Sequence, residues 1–195
     1  MNGALNVTQQ PKVPTKLRYN LDRPISESKW GWNLDEDDTD TEITMEWFKL
    51  FLNYEYLSDD IKNSPRVKRS RQKLERIFGE GNAANGAFQA TYDYISFLWP
   101  AAIEAMVSLK GGGYFCNLPI KIVITTPAIW SPQACERTKK AVKKAILERG
   151  TSPFGAILAL DLVSEPEAAA RACLTMSTTD QRQASTSCEI LPNMC

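Results

Sequence analysis

The 195-residue chain contains no histidine. That single absence removes every histidine-based catalytic triad, zinc site and proton shuttle. Its five cysteines, at 116, 135, 173, 188 and 195, are odd in number and include no C-x-x-C pair, so neither a zinc site nor a closed disulfide framework is indicated. Reduced thiols in a cytosolic protein are the expectation. Net charge is missing as well: 23 Lys and Arg balance 23 Asp and Glu, so no overall field points to nucleic acid or an anionic membrane. The opening "MNGALNVTQQPK" lacks the charged and apolar regions of a signal peptide. The most apolar helical stretch, Tyr94 to Leu109, is interrupted by Pro100 and Glu104 and is too short to span a bilayer. Cys195 is the last residue rather than the fourth from the end, so it forms no prenylation box. The expectation is a cytoplasmic protein, long enough for one ordinary domain, with no nucleic-acid or membrane partner.

Phosphate-binding and nucleophile motifs are equally scarce. The nearest approach to G-x-x-x-x-G-K-[ST] is "GNAANGAF", where Ala87 stands in the place of the lysine. No G-x-G-x-x-G occurs, and Gly111–Gly113 follows a helical pattern, which makes it a terminator. No G-x-S-x-G elbow exists.

What is present centres on two strand-to-helix junctions. In "LVSEPEAAARACL", Ser164 and Glu167 form a capping box, with Pro166 near the first helical position, where its missing N–H costs nothing. Ala168, Ala169 and Ala170 predict a helix slim enough to lie close against a sheet or another helix. None of this requires Glu165, which sits at the carboxyl end of a strand, where open α/β sheets place ligands. It is the first candidate for function. "PIKIVITTPAIW" and "GAILALDLV" read as buried strands. Between them, "SPQACERTKKAVKKAILERG" reads as a helix capped by Ser131, with Pro132 in its first turn and Gly150 as its stop.

Upstream, "GAFQATYDYISFLWPAAIEAMVSLKGGG" predicts a helix with a stripe of Phe88, Tyr92, Ile95, Trp99, Ile103 and Met106, bent at Pro100. Residues 88–174 therefore read helix–strand–helix–strand–helix, which implies a right-handed crossover and two parallel neighbouring strands. Pro127 and Glu165 should then be neighbours at one rim; the alternative is that both prolines merely punctuate elements.

The first part of the chain is less regular. "VPTKLRY" and "SKWGWNL" read as short extended pieces, with Trp30 and Trp32 on one side of a strand. "DEDDTDTE" (35–42) reads as a solvated loop. "EITMEWFKLFL" places Ile43, Trp47, Leu50 and Phe51 at helical spacing. The basic run "SPRVKRSRQK" (64–73) has two readings: a nucleic-acid or import patch, or the start of a charged helix with Val67, Leu74 and Ile77 on one face. The neutral chain and the absence of interleaved aromatics favour the helix. After Leu174 the chain is polar and rich in Ser and Thr, as a disordered tail would be.

"IKIVITTPAIWSPQACERTKKAV", a strand, and "LVSEPEAAARACL" together resemble the ATPase domain of the seventy-kilodalton heat-shock chaperones, in the actin-like ATPase superfamily. The tryptophan of "PAIW" and the early segments "VPTKLRYN", "SKWGWNL" and "EWFKLFL" are similar to a divergent branch known largely from fungi. The resemblance covers roughly residues 13–174. It implies an α/β fold: part of an actin-like (ribonuclease-H-like) ATPase lobe with a parallel strand pair flanked by helices, plus a small α+β insertion. The implied layout is a flexible arm (1–12), a small α+β subdomain (13–86), the core of the first lobe (87–174) and a tail (175–195).

In that family two lobes close on ATP and Mg²⁺. The resemblance gives Glu165 a nucleotide-site role, holding the metal through water, and makes Lys49 the catalytic lysine. It makes Pro127 a conformational switch, with Cys135 where a partner arginine is usual and Arg137 displaced along the helix. Unfolded-protein clients and co-chaperones are the partners it implies. The family's two glycine-rich phosphate hairpins and second lobe have no counterpart in this sequence, so the expectation is a truncated member with weak or no ATP hydrolysis alone. The alternatives are a non-catalytic interaction module or a non-functional gene fragment. Without the flanking hairpin, Ile122 and Ile124 or their alternates would lie on an unpaired strand edge open to self-association. Loss of cover there costs on the order of 5–10 kcal/mol.

Overall fold

The computed structural model describes residues 13–23, 29–31, 34 and 38–174. The arm at 1–12, Trp32, residues 35–37 of the acidic block and the tail at 175–195 lie outside the described residues. The architecture is mixed α/β, with a parallel two-stranded sheet flanked by helices. No helix among the described residues is long and apolar enough to cross a membrane.

The chain opens with a small antiparallel sheet in the order β2-β1-β3, formed by β1 (Leu17–Asn20), β2 (Lys29–Trp30) and β3 (Glu42–Met45). Leu17 and Tyr19, two residues apart and so on one face of β1, enter the core. Arg18, on the opposite face, is held by Thr44 Oγ1 at 2.9 Å. Tyr19 donates to Asp93 Oδ2 at 2.8 Å, and Gln89 Nε2 donates to Oδ1 of the same buried carboxylate at 2.8 Å. Every oxygen of that carboxylate is therefore occupied, as burial requires.

The acidic block is not a free loop where it is described. Asp38 accepts from the Thr44 amide at 2.8 Å and pairs with Lys73 at 2.8 Å. Thr39 exchanges hydrogen bonds with Glu42. These contacts occupy outward backbone groups of β3, an edge strand, and so blunt the edge. The helical reading of "EITMEWFKLFL" is also corrected. Ile43 lies in β3, and Trp47 turns outward in a left-handed conformation (φ 61°). A 3₁₀ helix follows at Phe48–Tyr56, broken by non-helical geometry at Asn53. The apolar spacing of Ile43, Leu50 and Phe51 comes from a strand and a 3₁₀ helix that both face the core.

Helix α1 (Asp59–Asn63) and helix α2 (Pro65–Phe78) start on Ser58 and Ser64, whose hydroxyls accept from the Ile61 and Val67 amides. Val67, Ser70 and Leu74 form the buried face of α2, so the charged-helix reading of 64–73 is the one observed. Helix α3 (Ala83–Lys110) runs unbroken through Pro100 and stops at Gly111. Its buried face is Gly86, Ala87, Ala90, Thr91, Asp93, Tyr94 and Ser96, while the expected stripe from Phe88 to Met106 is half-buried. The reason is that α3 packs against α2, the 3₁₀ helix and α5. Small residues face the closest neighbours, and the large rings fill the margins. A short turn, α4 (Gly112–Phe115), leads to the second sheet.

That sheet is β4 (Ile120–Thr126) and β5 (Ile157–Ser164), parallel, joined by helix α5 (Pro132–Arg149). The last helix, α6, covers 165–174. The strands were expected to be buried and are not: β4 alternates half-buried with exposed, Val123 is 53% exposed and Leu158 is 70% exposed. Only two strands pair, and α5 covers one face, so the other has no cover among the described residues. The alanine face of α6 is likewise open rather than packed, with Ala169 and Ala170 exposed.

The segments that lead into the strands are already joined, and the register then shifts once, between Ile120 and Lys121. Asn117 N–H donates to Pro153 O at 3.0 Å, Gly155 N–H to Leu118 O at 2.8 Å, and Ile120 N–H to Ala156 O at 3.0 Å. A Cβ on Gly155 would lie 2.5 Å from the Asn117 carbonyl oxygen, a contact with backbone that cannot swing aside. Gly155→Ala should therefore cost about 1–3 kcal/mol in a denaturant unfolding titration, with loss of the β4–β5 pairing. An unchanged midpoint would mean that the two lead-in segments are not locked together.

Candidate functional site

The carboxyl ends of β4 and β5 form the rim of the site. In the parallel register Thr126 pairs with Ser164, so the next residues along each strand, Pro127 at the start of a loop and Glu165 at the start of α6, lie side by side. Trp130 N–H closes the first loop on Pro127 O at 3.1 Å. Ser131 then caps α5, its Oγ accepting from Ala134 N at 3.2 Å. Its own amide donates to Oδ1 of buried Asn53 at 3.0 Å. At the second junction, where β5 passes directly into α6, Ser164 Oγ accepts from Glu167 N at 3.3 Å. The reciprocal half of the expected capping box is absent, because the Glu167 carboxylate turns along the helix to Arg171 at 2.7 Å. Glu165 is exposed at the first position of α6, where the helix dipole favours a negative charge.

Lys49 lies on the 3₁₀ helix, with its ammonium 5.9 Å from the centre of the Tyr94 ring. It borders a cleft of about 360 Å³ that also involves Pro14, Thr15, Trp47 and Phe48. The residue keeps solvent access, but burial of its ammonium pushes its pKa below the ordinary lysine value, and the charge of Glu165 pulls it partway back. Lys49 and Glu165 are thus within electrostatic reach, although 116 residues separate them (165 minus 49). Of the four residues singled out from the sequence, the strand register places Pro127 and Glu165 side by side.

Arg137 is bonded elsewhere. Its Nη1 donates to Leu52 O at 3.1 Å, which draws the guanidinium to the 3₁₀ helix and a cleft with Phe51 and Tyr54. Beside the end of β4 stands Cys135 instead, its Sγ 3.9 Å from Thr126 Oγ1. The 3₁₀ helix that carries Lys49 is thereby pinned twice to the start of α5, through Asn53 to the cap residue Ser131 and through Leu52 to Arg137. Sequence reasoning missed Asn53. Its only local signal is that it interrupts an apolar run, and its partner lies 78 residues away.

Chemically, a carboxylate at the carboxyl end of parallel strands, with the charge of Lys49 within its electrostatic reach, is suited to orienting an anionic ligand together with a hydrated cation. Comparison with protein-family models, curated proteins and solved structures returned no match to this chain.

Because Glu165 raises the Lys49 pKa against the effect of burial, Glu165→Gln should move that pKa further down. The pH at which Lys49 becomes reactive to an acylating reagent, followed by mass spectrometry of the labelled peptide, should fall in the variant. An unmoved profile would separate the two side chains.

Proposed function

We propose that this chain is part of the first lobe of a heat-shock-chaperone-like, actin-like ATP-binding domain, with little ATP hydrolysis on its own. The observation that carries the reading is the Thr126–Ser164 pairing, which sets the Pro127 loop beside Glu165 at the start of α6, while Glu165 acts electrostatically on Lys49. In this reading Lys49 meets the phosphates and Pro127 follows the state of the ligand. Arg137, bonded to Leu52 O, would relay any movement of the Pro127 loop through α5 to the 3₁₀ helix.

Among the described residues no three His, Cys, Asp or Glu side chains converge to cage a metal. Mg²⁺ commonly keeps several waters and relies on one or two carboxylates plus substrate phosphates. A single exposed Glu165 fits that mode, holding a hydrated ion through its water shell. The ion would supply charge neutralisation at the phosphates. Phosphoryl transfer depends almost wholly on positioning and electrostatics around the γ-phosphate. One lysine and one carboxylate supply little of that, so slow turnover follows. Unfolded clients or co-chaperones, and a cytoplasmic setting, belong to the same proposal.

A second reading, a non-catalytic interaction module, draws on the exposed Val123 and Leu158 of the two-stranded sheet. Calorimetric titration of ATP with and without Mg²⁺ separates the two. Saturable, Mg²⁺-dependent binding, weakened about tenfold by Lys49→Met and by Glu165→Gln, is the expected result. No heat, together with a sedimentation coefficient that climbs with concentration, would transfer the case to the second reading.

A further inference from the structure

A second cleft of about 390 Å³ lies between α2 and the end of β3, lined by Thr44, Glu46, Trp47, Arg66, Arg69, Ser70 and Lys73. Four of these, at 66, 69, 70 and 73, follow the i, i+3, i+4, i+7 spacing of one helix face. The charges around the cleft sort cleanly. Lys73 is neutralised by Asp38 at 2.8 Å and also donates to Thr44 O at 2.9 Å. Glu46 is neutralised by Lys16 at 2.5 Å. Elsewhere on α2, Arg71 pairs with Glu75 at 3.0 Å, and Arg76 donates to Asp40 O at 2.6 Å. Arg66 and Arg69 form no ion pair among the described residues, so they leave two uncompensated guanidinium charges in the cleft.

Trp47 supplies the other half. It is 50% exposed and holds φ at 61°, a left-handed conformation that a bulky side chain adopts only under constraint. Such outliers gather at ligand sites, where the surrounding structure maintains them. The turn directs the strand into the 3₁₀ helix and leaves the indole at the border of both clefts. An aromatic face beside two free guanidinium groups matches a ligand with a flat ring and a compact double charge: the ring stacks on the indole, and the forked donors of arginine suit phosphate oxygens. The cleft volume is at the small-molecule end of the usual range.

We propose that this cleft binds an aromatic phosphomonoester of mononucleotide size, with the phosphate on Arg66 and Arg69 and the ring on Trp47. It shares Glu46 and Trp47 with the Lys49 cleft but takes its two arginines from α2, and it does not depend on the function proposed above. The test is a titration of the whole chain with AMP, with free phosphotyrosine and with inorganic phosphate, followed by tryptophan fluorescence and calorimetry. The two organic probes distinguish a nucleotide from a phosphorylated tyrosine as the source of the same chemistry. At least one should saturate and bind about tenfold more tightly than inorganic phosphate. Arg66→Gln and Arg69→Gln, both exposed and so without effect on folding, should each weaken it about tenfold, and Trp47→Leu should remove the ring preference. Lys68→Gln, exposed on the same helix but outside the cleft, should leave this binding unchanged. Absence of saturation by both organic probes, affinity equal to that of inorganic phosphate, or indifference to both arginine substitutions would overturn the proposal.

Discussion

Close approach between α3 and α5 is the constraint on which the rest of the molecule depends. α3 offers Ala87, Ala90 and Thr91, and α5 offers Ala134, Thr138, Ala141 and Ala145, all buried. Small side chains let two helices pack at short range, and both threonine hydroxyls turn back to their own helices, Thr91 to Ala87 O and Thr138 to Ala134 O at 2.8 Å each. Neither threonine hydroxyl is thereby stranded by burial. Because α5 is also the connection between β4 and β5, fixing it on α3 fixes the crossover, and the crossover fixes which ends of the strands form the rim. On its other side α3 meets α2 and the 3₁₀ helix, so the Lys49 region and the rim share one support.

The molecule treats its two sheets differently. The edge of β3 is closed by Asp38, Thr39 and Lys73, with side-chain oxygens and an ammonium occupying the backbone groups that another strand would use. The β4–β5 pair has no such protection among the described residues, and leucine and valine side chains stand open on it. A two-stranded sheet is marginal by itself. What holds this one is the tight lead-in around Gly155, the cover from α5, and the aliphatic pairs Ile122–Leu160 and Ile124–Leu162 across it. The Lys121–Asp161 ion pair on the exposed side, with both partners near half-exposed, adds little.

Legibility in the sequence followed the range of the interactions. Helix boundaries set by adjacent residues were readable: Ser131 and Pro132 start α5, Gly150 stops it, Ser64 and Pro65 start α2, and Gly111 ends α3. The parallel pairing was readable too, because a strand–helix–strand pattern admits few topologies. Burial was not. β-branched runs read as buried strands only when both faces are covered, and here one face has no cover among the described residues. Residues 43–53 misled because the spacing of their apolar positions suits a helix as well as a strand followed by a 3₁₀ turn. At the site, Pro127 and Glu165 were visible from their junctions. The Asn53–Ser131 bond, the diversion of Arg137 to Leu52 and the exposed Trp47 were not, since each depends on a partner or a backbone turn that no neighbouring residue announces.

The central claim is that β4 and β5 run parallel in the register that aligns Thr126 with Ser164. Cross-strand nuclear Overhauser effects on the isotope-labelled chain measure this directly. The account predicts contacts linking Ile122 to Leu160, Ile124 to Leu162 and Thr126 to Ser164, in the pattern of parallel strands. An antiparallel pattern, or a shift that places Glu165 away from Pro127, would contradict it.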